Sequence, residues 1–121
     1  MSVDLTPEER AKIVAERADV KYGPFASLHE AYGVLAEEVW ELGHAITEDN
    51  RQAVFNMSHL WDIMLSNLRA NNAAGCIVAT GYFQAMAKDI AMMPHTPEPI
   101  RSEAIDVIAV CDRIIAQWGE K

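Results

Sequence analysis

The sequence predicts an all-α fold, an antiparallel bundle of about five helices. Apolar residues recur at three- and four-residue steps through most of the chain, as one helix face requires. Only five prolines and six glycines are spread over 121 residues, and strand-like alternation is hard to find. The periodic stretches also carry helix start and stop residues at their ends.

The first helix opens at "TPEER", with Thr6 as N-cap, Pro7 at the first helical position and Glu9 three residues after the cap. Together these form a capping box. Ile13, Val14 and Val20 give it a narrow apolar side, and Gly23–Pro24 ends it. Ser27 and Glu30 make a second capping box. Apolar residues then follow at Leu28, Tyr32, Leu35, Val39, Leu42 and Ile46, so the second helix is expected to end near Glu48. A third helix spans about 50–71, with Val54, Met57, Leu60, Trp61, Met64 and Leu68 on one face and "RANN" as its end. The fourth, "AAGCIVATGYFQAMAKDIAMM", is rich in small residues. Gly75, Gly81, Ala79, Ala85 and Ala87 suit close approach by a neighbouring helix. After the linker "PHTPEP" a last helix runs from about Pro99 to Trp118 and stops at Gly119.

This length suits a single domain, 1–121, with one modest core. A formal net charge of −8 disfavours nucleic acid polymers and anionic membranes as partners. It does not disfavour a small anion, because a bound divalent cation inverts the local sign. Cys76 and Cys111 lie among apolar residues and read as buried free thiols. The chain shows neither a secretory signal nor an apolar run of about 18 residues, so a cytoplasmic location is expected.

The chemistry resides in acids. "LAEEVWEL" packs Glu37, Glu38 and Glu41 beside the apolar stripe of the second helix. At ~100° per residue, Glu38 and Glu41 lie about 60° apart, one turn from each other, and border that stripe. The last helix repeats the arrangement with Glu103 and Asp106, again i and i+3, in a segment apolar almost all round. Buried carboxylates without partners are very costly. Two such pairs facing each other call for cations, and an all-oxygen set suits Mg²⁺, Mn²⁺ or Ca²⁺. The alternative is a solvated glutamate stripe on one helix and, on the other, acids paired with Arg113 or Arg101. Arg113 falls within about 20° of Asp106, two turns on.

"EEVWE" followed by "EAID" resembles the EExxE…ExxD signature of the all-α nucleoside triphosphate pyrophosphatases. "KYGPFASLHEAYGVLAEEVWEL" is similar to short MazG-like members of that superfamily. The likeness covers 21–48 well and 100–118 fairly. It implies Mg²⁺-dependent hydrolysis of a nucleoside triphosphate to the monophosphate and pyrophosphate, with Mn²⁺ as a possible substitute. Carried over by position, Glu38, Glu41, Glu103 and Asp106 would be metal ligands. Glu37 would be an auxiliary acid, either a further ligand or the group acting on the attacking water. The chain departs from the pattern at 49–99, which reads as an extra helical hairpin between the two motif helices. Two intervening helices still let the motif helices run antiparallel.

Arg113 is the expected phosphate clamp and Lys88 a second candidate, since both cations suit phosphate and guanidinium matches it bidentately. Tyr22, Phe25 and His29 are candidates for a base pocket, and Asn56 and Asn67 for base reading. Trp40 lies opposite the acids and is expected to pack on another helix or subunit, and Trp61 is expected in the core. The near all-round apolarity of 100–118 suggests a homo-oligomer, a dimer or tetramer. Glu41 and His44 form one Glu-x-x-His, but a di-iron bundle needs that pattern twice. The alternative from a different class is a non-catalytic interaction module with a structural acid cluster.

Overall fold

Each helix begins and ends where local chemistry dictates. The computed structural model describes residues 5–46 and 51–119, the side chains of 51–56 excepted. α1 spans Pro7–Tyr22. Thr6 Oγ1 accepts from the Glu9 amide at 3.1 Å, and Glu9 Oε1 accepts from the Thr6 amide at 3.0 Å, completing the expected box. Gly23 closes the helix at φ +71°, a left-handed conformation glycine adopts without strain. α2 spans Leu28–Ile46. Its box is shifted at one end: Ser27 Oγ accepts from Glu30, but Glu30 reaches back to the Ala26 amide. The predicted end near Glu48 lies outside the described residues.

α3 (Arg51–Arg69) and α4 (Ala73–Met92) form the predicted hairpin. Asn71 takes φ +55°, the Asn72 amide donates to Asn67 O and the Asn71 amide to Leu68 O. This is a Schellman ending with asparagine in the place glycine usually fills. Asn72 then caps α4 by accepting from the Gly75 amide, while its Nδ2 donates to Asn67 Oδ1. A Cβ on Gly75 would collide with the Asn67 side chain, so this glycine accommodates a turn side chain rather than a helix. Gly81 has open space around it, contrary to expectation. Asn67 is built into the turn and is not free to read a base. Asn56, the other suggested reader, and Val54 have side chains outside the described residues.

α5 (Glu98–Trp118) starts one residue earlier than predicted and occupies the centre, packed along α4, α2 and α1. Ile105, Val107, Ile108, Val110, Cys111 and Ile114 are all buried. Three helices of the same chain therefore cover α5. Arg10 meets Glu98 and Asp19 meets Arg113, so α1 runs parallel to α5. α2 runs antiparallel to it: Phe25 and Gln117 exchange reciprocal bonds of 3.0 and 2.9 Å. α3 lies outside, on α2 and α4. α1 and α2 both pack on α5 but make little contact with each other. Among the described residues there is no strand, and no helix is long and apolar enough to cross a membrane.

One polar pair sits in the core. Thr80 Oγ1 donates to Cys76 O at 2.8 Å, so its proton is committed, and Tyr32 donates to Thr80 Oγ1 at 2.9 Å. Thr80→Val orphans the buried Tyr32 hydroxyl, whereas Tyr32→Phe leaves Thr80 with a partner. The expected losses are about 2 and about 1 kcal/mol respectively, measured by urea unfolding.

Candidate functional site

The acids of the two motif helices converge. On α2, Glu38 is partly buried at the edge of the apolar stripe and Glu41 is exposed one turn on. On α5, Glu103 and Asp106 are partly buried. One carboxylate oxygen from each of Glu38, Glu41 and Glu103 lies within 4.8 Å of the others. Asp106 stands outside that trio, but its charge acts on Glu38 and the Glu41 charge acts on it. Glu37 is exposed and exerts the weakest influence of these acids on Glu38.

The electrostatics are unfavourable for a metal-free protein. Glu38 Oε2 and Glu103 Oε2 are out of contact with solvent and have no hydrogen-bond partner, although both residues are partly exposed. Burial first, then the charges of Asp106, Glu41, Glu103 and Glu37, push the Glu38 carboxyl up to about 7. Burial, followed by the neighbouring carboxylates, also raises Glu103 and Asp106.

The cations expected to relieve this are engaged elsewhere. Arg113 is buried, donates to Asp19 Oδ1 at 2.9 Å and to Gly23 O at 3.0 Å, and stacks on the Phe25 ring. It holds α1 to α5 and is paired with Asp19 rather than Asp106. The angular reading placed it near Asp106 but took no account of α1 alongside. Lys88 lies 3.7 Å from Glu8, in the cleft between α1 and α4. Arg101 donates to Ala91 O and Met93 O, capping α4. The cation that does act on Asp106 is Arg10, which the sequence reading passed over. Its only local signal was a basic residue on an amphipathic helix. Its place beside the acids follows from the parallel packing of α1 on α5.

The aromatic candidates fall away from the acids. Phe25 is buried between Trp118 and Arg113, and Tyr22 and His29 are exposed near the start of α2. Leu28 to Glu38 is about 15 Å of helix at ~1.5 Å per residue, so this group does not border the acid cluster. Trp40 is 74% exposed and stacks on His44 instead of packing on a neighbouring helix. Trp61, expected in the core, is only partly buried, packed edge-on against Phe83 at the core's margin. Trp40, Trp61 and Met57 line a groove of about 480 Å³ between α2 and α3, on the side of α2 turned away from the acids.

The donor set fits a hard divalent ion: all oxygen, anionic, and with two buried oxygens lacking a proton donor or cation. No zinc-type nitrogen or sulfur ligand joins the cluster among the described residues. No family model, curated protein or solved structure matches this chain. The functional reading therefore stands on these residues and on the motif likeness.

A pH dependence follows. A carboxyl whose folded pKa is raised stabilises the fold below its unfolded value and loses that contribution as pH rises through the folded one. Metal-free protein is thus expected to lose stability between about pH 4.5 and 7, the interval of the Glu38 shift. Glu9 and Glu98 are shifted downward, so their opposing effects fall below this window. Thermal melts in chelator across pH 4.5–8 check the slope. Mg²⁺ is expected to restore stability more at pH 8 than at pH 5.5.

Proposed function

We propose that this chain is a Mg²⁺-dependent nucleoside triphosphate pyrophosphohydrolase, converting an NTP or dNTP to its monophosphate and pyrophosphate. The observation that carries the reading is the meeting of Glu38 and Glu41 of α2 with Glu103 of α5, with buried oxygens that have no hydrogen-bond partner. Glu38, Glu41, Glu103 and Asp106 would hold the ion, with Mn²⁺ as a substitute for Mg²⁺. When bound, such an ion neutralises phosphate charge and makes water more acidic.

The rest is the work of this chain's own groups. Glu37, exposed and next to Glu38 in the chain, would orient the attacking water and take its proton. The water oxygen bonds to the α-phosphorus, the bond from that phosphorus to the bridging oxygen breaks, and pyrophosphate leaves.

The test is a panel of standard and modified nucleoside triphosphates with Mg²⁺ or Mn²⁺, analysed for both products. The expected result is monophosphate and pyrophosphate in equal amounts. Release of orthophosphate alone rejects the bond assignment. No turnover, with the metal still bound, leaves the non-catalytic helical module as the better reading.

A further inference from the structure

We propose that the groove between α2 and α3 seats a second copy of this chain, the two copies packed antiparallel along α2 about a two-fold axis at Trp40. The proposal does not depend on the hydrolase reading. Three observations carry it. First, Trp40 stands mostly in water at the edge of a groove of about 480 Å³, with the His44 ring against it and Trp61 on the opposite wall. Aromatic side chains beside a groove without charge make the usual centre of a protein interface. Second, the described lining residues include no Asp, Glu, Lys or Arg, in a chain of formal net charge −8. Copies that repel each other elsewhere meet there without opposed charges. Third, the edge of α2 beside Trp40 carries opposite polarity on its two sides. Glu37 lies three residues before Trp40 and His44 four after, both exposed and both turned about 40–60° to the same side of it.

That pattern matches itself under two-fold rotation. An antiparallel second α2 brings the two Trp40 rings together and sets Glu37 of each copy against His44 of the other, whose ring N–H can donate whether or not it is charged. A second copy supplies this complement by symmetry alone. Glu38 and Glu41 lie about 160° and 100° round α2 from Trp40, so both acid clusters stay open to solvent and ligand. One carboxylate oxygen of Glu37 suffices for the contact, and the other remains for the attacking water. α2 and α3 are each 19 residues long. A face of two helices ~28 Å long and ~10 Å apart offers roughly 500–600 Å² per copy, about 1,100 Å² for the pair. That narrowly clears what a specific interface needs, so the dimer is expected to be reversible, with a Kd on the order of 10 µM.

The experiment is sedimentation velocity on the full chain from about 2 to about 200 µM, a range that brackets the expected Kd. It compares the parent, Trp40→Ser, His44→Glu and the exchange of Glu37→His with His44→Glu. The parent is expected to pass from monomer to dimer across that range. Trp40→Ser is expected to weaken association at least 10-fold. His44→Glu is expected to do the same, because it sets two carboxylates against each other across the axis. The exchange restores unlike partners there and is expected to recover most of that loss. Circular dichroism is expected to show the parent's helix content in every variant, since all three positions are exposed. A parent that stays monomeric at about 200 µM overturns the proposal, and quenching of its Trp40 fluorescence by a small aromatic probe would assign the groove to a ligand instead. A dimer indifferent to Trp40→Ser overturns it too, as does one that His44→Glu weakens and the exchange fails to restore.

Discussion

Glu38→Gln is expected to lower kcat/KM for triphosphate hydrolysis by at least 10³-fold and, in the metal-free protein at pH 8, to make the fold more stable. The two effects have one cause. Glu38 is partly buried, one of its oxygens has no partner, and its neighbours are other carboxylates. Its charge is costly to the fold unless a cation is present. Removing that charge relieves the repulsion, and the raised pKa sets the scale. Discounted for solvent screening, the gain is on the order of 2 kcal/mol. The amide also removes an anionic ligand from the proposed metal site, which is why activity is expected to collapse. Turnover assays paired with urea unfolding at pH 8 in chelator measure both. A glutamate serving only the fold would behave in the opposite way, losing stability on substitution with no particular effect on turnover.

Arg113→Ala is the second large effect, and it falls on stability. The side chain is only 7% exposed, donates to Asp19 and to the Gly23 carbonyl, and covers the Phe25 ring at 4.3 Å. Its loss leaves the partly buried Gly23 carbonyl without that donor and a void beside Phe25, and it unties the end of α1 from α5. The expected cost is about 3 kcal/mol by urea unfolding. Arg113→Lys is expected to recover less than half, because one ammonium cannot reach both oxygens in the geometry of the guanidinium fork. If Arg113 were instead the phosphate clamp of the sequence reading, Arg113→Ala would raise KM and leave stability nearly intact.

The difference between Arg10 and Arg113 shows what the sequence can convey. Helix boundaries were legible because they are local. Thr6 with Glu9, Ser27 with Glu30, and the glycines at 23 and 119 act within a few residues of themselves. The convergence of Glu38, Glu41 and Glu103 was legible for a related reason. Each pair borders an apolar stripe, and both stripes must enter one small core. Asp106 was placed in the same cluster but stands just outside the closest trio.

What was not legible is the packing of α1. A helical wheel shows which way Arg113 points on its own helix, but not that α1 runs parallel beside it and presents Asp19 at that height. The same packing brings Arg10 to Glu98. The coverage of α5 was misjudged for the same reason, since it depends on three neighbours whose positions no local pattern encodes. Trp40 points away from the acids, as read, and is 74% exposed beside the groove between α2 and α3.

The central claim is that acids from α2 and α5 hold one site between them, and Mn²⁺ binding tests it most directly. Electron paramagnetic resonance titration at pH 8 would be run on the parent, on Glu38→Gln from α2 and on Glu103→Gln from α5. The account predicts saturable binding by the parent and at least 10-fold weaker binding by each variant, one carboxylate per helix sufficing to spoil the site. Binding that is absent in the parent, or unchanged in both variants, would contradict it.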